Sequence, residues 1–522
     1  DLVEAVVCLA NGRGGMLLVG VEDDGTVTGV QPRHESGRTD PLRVQALIAN
    51  MTQPPLSTVV DTVQVAGQEV LVIEVPDSPR VVGTIRGTYV RRAVGGDGRP
   101  ACVPYHAHEM LAHEVDRGAA DWAALRVGGA GWDDLDPLEF ERLRRLVTTA
   151  GDRADRLLAS LSDREIASAL GLVRHDAEVT TGAMLLFGQV EALRRYLPTH
   201  EAAFQVLRGL DVEVNDFLPY PLLRLAEEMF ARFRARNGQE EIQFGLLRVA
   251  VSTYSETAFR EALANALIHR DYTRRSAVHV QWTVDQLEIS SPGGFPPGVR
   301  LENLLVAPPH PRSPLLADVF KRTGLVERTG RGINRMFAEQ LRVGRPAPDY
   351  GRSSGDHVIA VLPGGPANMS MTRWVSEQEQ QRGMPVGLSE LQVLAELLHE
   401  RRATTGELAQ VLQRTDAEAR SLLARMVEQG WIDARGDGRG RSWNLSAAVY
   451  RALEAPAGYV RLRGFEPLQQ EQMVVQYVEA HGRITRAQAA DLCAIDARQA
   501  SRLLGRLVRG RRLEQHGEGR GT

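Results

Sequence analysis

Residues 388–522 carry one pattern twice, 81 residues apart, and nothing else in the chain constrains its fold as strongly. Thr485 matches Thr404, Ala500 matches Ala419, and Leu503-Leu-Gly-Arg-Leu-Val matches Leu422-Leu-Ala-Arg-Met-Val. A segment repeated at this length is one supersecondary unit in two copies. In the first copy, Leu391 to Leu398 has helical apolar spacing, Thr404 or Thr405 caps a short helix through Leu412, and Asp416 to Glu428 forms a third. Gly430-Trp-Ile-Asp then leads into a strand, Gly436 to Gly440 turns the chain, and Arg441 to Leu445 closes the hairpin.

Three helices and a β-wing make the winged-helix pattern, expected over 388–450 and again over 451–522. The second copy ends at Gly521-Thr522, before a full wing closes. The third helices present Arg420 and Arg425 in the first copy, and Arg498, Arg502, Arg506 and Arg509 in the second. Arg439, Arg441, Arg511 and Arg512 fall in or near the wings. Arginine clamps phosphate and reads guanine through two parallel hydrogen bonds. Residues 380–522 hold 21 Arg against 17 Asp plus Glu, a net of +4, so the rest of this −4 chain is −8. That asymmetry is the footprint of nucleic-acid contact, and double-stranded DNA is the expected partner. A protein-binding winged helix is the rival reading.

Lys321 is the only lysine, which reads as a high-GC bacterial composition. It excludes one class of enzyme. A P-loop needs a Lys closing a Gly-rich turn, and Asp318-Val-Phe-Lys-Arg has no such turn before it, so the chain is no self-sufficient P-loop helicase or ATPase. No apolar stretch reaches the roughly 18 residues of a membrane span. Cys8, Cys102 and Cys493 lie far apart without metal-ligand spacing or a disulfide framework, which points to a reducing cytoplasm. At 43% apolar and 25% charged residues over 522, several ordinary globular cores are expected.

The first of these spans 1–115. Asp1 to Ala10 reads as a helix closed by Asn11-Gly12, Met16 to Val21 as a strand, and Asp23-Asp24-Gly25 as a turn into Thr26 to Val30. Val59 to Val65 and Val70 to Val75 flank a second turn, Ala66-Gly67-Gln68. Leu9-Ala-Asn-Gly-Arg-Gly-Gly-Met-Leu-Leu-Val-Gly-Val-Glu-Asp-Asp-Gly, with Tyr89-Val-Arg-Arg as closing strand, resembles the AlbA-type DNA-binding domain of Schlafen-related proteins. In nucleolytic relatives an acidic residue at the Glu22-Asp23-Asp24 strand end joins two glutamates of a preceding strand to hold a divalent metal. The chain starts at the following helix, so nuclease activity is not supported, and the carboxylates read as a solvated hairpin turn.

Residues 116–250 read as a helical connector, with Ser162 capping a helix at Glu165 and Thr180 to Gly188 a buried helix or strand. The module over 251–364 carries the chemistry. Glu256 to Tyr272 reads as one helix on which Glu261, Asn265 and His269 recur every four residues and share a stripe. His269 reads as a packing or hydrogen-bonding residue. A strand, Gln286 to Ser290, runs into the glycine loop Ser291-Pro-Gly-Gly-Phe-Pro-Pro-Gly. A second loop, Thr329-Gly-Arg-Gly-Ile-Asn-Arg-Met, opens a helix whose N–H groups suit phosphate.

This ordered set resembles the GHKL, or histidine-kinase-like, ATPase fold, in the divergent form of RecG-like regulators. The resemblance implies ATP and Mg²⁺ as cofactors, Glu261 as water-orienting base and Asn265 as Mg²⁺ ligand. It also implies Gly293 and Gly294 on the adenine side, with Gly330 and Gly332 at the phosphates. One departure stands out: ordinary members carry an Asp for the adenine amino group where this chain has Ser290-Ser291-Pro292.

The expected architecture is an α/β multidomain chain. An AlbA/Schlafen-like α+β domain, a GHKL-like α/β sandwich and winged-helix repeats follow in order, with a linker over 365–387. The expected function is a nucleotide-responsive DNA-binding regulator with at most weak ATPase activity, working as a homodimer or higher oligomer away from membranes. The alternatives are a metal-dependent Schlafen-type nuclease, as in phage defence, and a scaffold that only assembles partners.

Overall fold

In the computed structural model the first helix, α1 (Leu2–Ala10), buries Val3, Val6, Val7, Leu9 and Ala10. The structure describes every residue except 32–38, 95–97, 174–177, 245–246, 327–330, 437–440, 454–466, 494, 496 and 517–522. Strand β1 (Gly15–Val19), helix α2 (Pro41–Met51) and the hairpin β2 (Val59–Val65) and β3 (Gln68–Val75) follow. The sheet order is β1-β3-β2, antiparallel throughout. Gly14, at φ +68°, turns the chain into β1 where a Cβ would lie 2.6 Å from the Val75 carbonyl oxygen, so only glycine fits. Thr26 to Val30, expected as a strand, contributes only the single bridge Val21 to Val27.

A second hairpin, β4 (Val90–Val94) and β5 (Pro100–Pro104), leads into α3 (Ala107–Asp116). It brings Cys102 to Cys8 of α1, and the two form a disulfide with Cα atoms 5.8 Å apart. This corrects the reading of three unpaired cysteines. A separation of 94 residues in sequence says nothing once α1 packs on this hairpin, and the argument for a reducing compartment loses that support.

One core runs from Ala123 to Leu362, across the 250/251 boundary drawn above. Its sheet joins β6 (Ala202–Arg208), β7 (Asp211–Leu218), β8 (Val278–Trp282), β9 (Gln286–Pro292) and β10 (His357–Pro363) in the order β10-β9-β8-β6-β7. Only β8 and β6 pair in parallel. Helix α4 (Pro137–Ala150) and helix α5 (Thr181–Phe187), the latter capped by Thr180, pack in the same core. Helix α6 (Leu222–Arg236) stacks Phe233 on Phe259 of α7 (Glu256–Ile268), ring centroids 4.1 Å apart. Helix α7 stops at Ile268 rather than Tyr272. The Asp271 N–H donates instead to the Pro292 carbonyl, and the Tyr272 hydroxyl donates back to Leu267.

Helices α8 (Pro314–Arg322), α9 (Gly332–Arg342) and α10 (Met369–Arg382) lead to the repeated region. Its first copy has α11 (Leu388–His399), β11 (Ala403–Thr404), α12 (Thr405–Leu412), α13 (Asp416–Glu428), β12 (Ile432–Arg435) and β13 (Ser442–Leu445). The three strands form a sheet in the order β11-β13-β12. Thr404, not Thr405, caps α12, and the Glu407 carboxylate accepts from the Thr404 N–H at 2.7 Å. The second copy shows α14 (Pro467–His481), α15 (Arg486–Cys493) and α16 (Ala497–Arg509), with no strand among its described residues.

Candidate nucleotide site

Ser255 starts α7 by accepting from the Ala258 N–H. The helix then presents Glu261, Asn265 and His269 along one side of a cavity of about 740 Å³. Ile289, Ser291 and Gly293 of β9 and its loop, with Val358 and Ala360 of β10, line it as well. Arg331, Gly332, Ile333 and Asn334 at the start of α9 close one end. At Gly332 an added Cβ would collide with the Glu261 carboxylate, so the helix N-terminus and the carboxylate lie directly against each other. A helix N-terminus concentrates unpaired N–H groups and positive potential.

Three side-chain atoms of these residues are buried with no hydrogen-bond partner among the described residues: Glu261 Oε1, Asn265 Nδ2 and His269 Nδ1. Leaving such groups unmet costs roughly 1–3 kcal/mol each, and their clustering beside one cavity makes it the candidate polar site. Burial is the main cause raising the Glu261 pKa, against the opposing charges of Arg260, 3.9 Å away, and Arg335. A carboxyl held above its ordinary range is suited to accept a proton from water. Among the described residues no three His, Cys, Asp or Glu gather as a metal cluster. A Mg²⁺ ion held between one amide oxygen and substrate phosphates needs no such cluster.

Of the expected site residues, Glu261, Asn265, Gly293 and Gly332 line this one cavity. Gly294 does not; its carbonyl accepts from Arg312 Nη2 at 3.0 Å. Gly330 lies outside the described residues. The Ser291 hydroxyl donates to the Ala266 carbonyl at 2.7 Å, tying β9 to α7.

Three anchors of the cavity's roof, residues 299–314, escaped sequence reasoning. Gln413, at the turn between α12 and α13 with φ +53°, accepts from the Leu305 N–H and donates to the Leu301 carbonyl, both at 2.7 Å. Leu304 and Leu305 face the cavity. On the other flank, Asp121 accepts from the Ser313 hydroxyl at 2.7 Å and from the Leu315 N–H at 2.8 Å. Asp116 of α3 sits 2.9 Å from Arg312 Nε. No local motif announces these contacts, since the partners are 108 to 196 residues apart.

Elsewhere, Glu22 accepts from the Thr28 hydroxyl at 3.0 Å and Asp24 from the Thr26 N–H at 2.8 Å, so two of the three turn carboxylates serve the turn itself. Arg420, Arg425 and Arg441 are exposed on the first repeat unit, and Arg498, Arg502, Arg506 and Arg509 on the second. Arg506 lies 3.5 Å from Glu471. Arg439 is outside the described residues.

Three family models match the chain. Residues 1–97 match "Schlafen, AlbA_2", residues 108–203 match a domain of unknown function, DUF8451, and residues 276–362 match "Putative ATP-dependent DNA helicase recG C-terminal", a HATPase family. The last match opens after α7 and so does not cover Glu261 or Asn265. Among solved structures, the DIP2311 protein from Corynebacterium diphtheriae is 25% identical over 87% of each chain, with a TM-score of 0.53. Among curated proteins none matches. The chain therefore joins an AlbA_2-type Schlafen domain to a HATPase-type domain of the RecG C-terminal kind, a pairing that points to nucleic-acid binding and an ATP-binding module.

Proposed function

We propose that this protein is a nucleotide-responsive DNA-binding regulator whose C-terminal repeat units are winged helices. The observation that carries the reading is Gln413, which ties the turn before α13 to the roof of the cavity by two hydrogen bonds. A ligand that reorders the roof must act on that turn. ATP is the ligand we assign to the cavity. Gly332 at the α9 N-terminus would hold its phosphates, and the base would lie toward Gly293. The Asn265 amide oxygen would hold Mg²⁺, which would neutralise phosphate charge there. Glu261, its proton affinity raised by burial, orients the attacking water.

The DNA contacts are assigned to Arg420, Arg425, Arg439 and Arg441 in the first unit and Arg498, Arg502, Arg506 and Arg509 in the second. The acting form in this reading is a homodimer or higher oligomer on double-stranded DNA, in the bacterial cytoplasm where that partner lies. Calorimetry at millimolar ATP tests the nucleotide half. Binding is expected with Mg²⁺, Glu261→Ala should keep binding and lose hydrolysis, and Asn265→Ala should lose the Mg²⁺ dependence. No heat in any condition contradicts the assignment.

A further inference from the structure

We infer that His269 is the residue that reads the nucleobase, and that it accepts 6-amino and 6-oxo purines alike. The inference rests on the nucleotide reading above. Eight positions separate Glu261 on α7 from His269 at its C-cap, roughly 12 Å at 1.5 Å per residue, the scale of an extended nucleoside triphosphate. The Glu261 end meets the α9 N-terminus, with Gly332 against the carboxylate and Arg331 beside it, so it is the anion end. The base then falls at the His269 end.

What lines that end limits how a base can be recognised. The hydroxyl of Ser291 is already donated to Ala266. Asp271, next to the glycine loop, is buried and accepts from the Thr273 N–H, the Thr273 hydroxyl and Arg274 Nε. Among the described residues the carboxylates lining the cavity are Glu261, at the opposite end, and Asp318, a half-exposed group 3.9 Å from Arg322. His269 lines the cavity, and its buried Nδ1 has no hydrogen-bond partner among the described residues. An imidazole with the ordinary pKa of about 6.5 is mostly neutral at pH 7. A neutral imidazole offers one donor and one acceptor, and which nitrogen carries the proton can follow the ligand. A carboxylate could only accept and would select the amino group of adenine.

The test is calorimetry of the full chain with Mg²⁺ and three probes: ATP, ITP and inorganic tripolyphosphate. Wild type should bind ATP and ITP within about threefold of each other. His269→Ala should weaken both by roughly tenfold, the worth of one hydrogen bond, and leave tripolyphosphate unchanged. His269→Gln, which keeps a donor and an acceptor, should recover most of the loss, with thermal melting confirming that each variant folds. A wild-type preference for ATP over ITP of tenfold or more overturns the assignment while leaving the nucleotide site standing. So does unchanged ATP binding by a folded His269→Ala. If none of the three probes binds wild type, the nucleotide reading falls and this one with it.

Discussion

The two C-terminal repeat units share a helical plan and differ in charge. Helix α13 carries Asp416, Glu418 and Glu428 against Arg420 and Arg425, a net of −1. Its counterpart α16 carries Arg498, Arg502, Arg506 and Arg509 and no acid, a net of +4. The spacing i, i+4, i+8, i+11 puts the four arginines on one stripe, opposite the buried Ala500, Leu503 and Leu507. The matching positions of α13 are Ala417, Ser421, Arg425 and Glu428. Only the first copy has Gln413 at the turn; the second has Ala494. One unit thus contacts the cavity roof through Gln413, and the other carries the basic stripe.

The largest effect should come from removing that stripe. Changing Arg498, Arg502 and Arg506 together to Gln should flatten the salt dependence of duplex-DNA binding by about three phosphate contacts, at ~0.9 in log–log slope each. Arg420→Ala and Arg425→Ala should cost roughly 1–3 kcal/mol each where they meet bases, and relax sequence preference. Salt titrations of both variants by fluorescence anisotropy rank the units. A larger loss of salt slope from the Arg420/Arg425 pair would reverse the division of labour drawn here.

Gln413→Ala comes next. It deletes two neutral hydrogen bonds to the roof, each worth about 1 kcal/mol net. The first unit should therefore become more accessible to proteolysis at its junction with the cavity domain, while thermal unfolding of the second unit is unmoved. Equal protection in both chains would mean that the contact carries no energy.

The smallest effect separates the caps. In the first unit Glu407 is held below the ordinary carboxylate range by the Thr404 N–H and then by its hydroxyl. In the second, uncharged Gln488 makes the same two contacts with Thr485, at 2.9 and 3.0 Å. A depressed carboxyl pKa stabilises the folded state above the unfolded pKa of about 4.3 and ceases to do so as pH falls through the folded value. Helical signal from α12 should therefore weaken between about pH 5 and pH 3, with no matching loss in α15, as residue-resolved NMR can follow. Glu407→Gln should remove the difference.

Local signals in the sequence served well, and distant ones left no trace. The capping box at Ser162 with Glu165 spans three residues and closes as expected, and one of the two threonines offered as the next cap, Thr404, closes a second box with Glu407. The stripe of Glu261, Asn265 and His269 follows from helical period alone. Strand β6, in contrast, reads as part of a helical connector until its parallel partner β8, 76 residues on, is seen beside it. Its consecutive Ala202, Ala203 and Phe204 are all buried, which erases the alternation that marks a strand. The Cys8–Cys102 pair and the Gln413 contact are hidden for the same reason: each is specified by packing between elements, not by neighbours in sequence.

The account turns on coupling between the cavity and the C-terminal units, and one linkage measurement addresses it directly. Duplex-DNA affinity of the full chain is measured with and without saturating ATP and Mg²⁺, in wild type and in Gln413→Ala. The account predicts a shift of about fivefold or more in wild type, a matching shift in ATP affinity when DNA is bound, and the loss of both in Gln413→Ala while ATP still binds. Identical DNA affinity with and without bound ATP in wild type would contradict it.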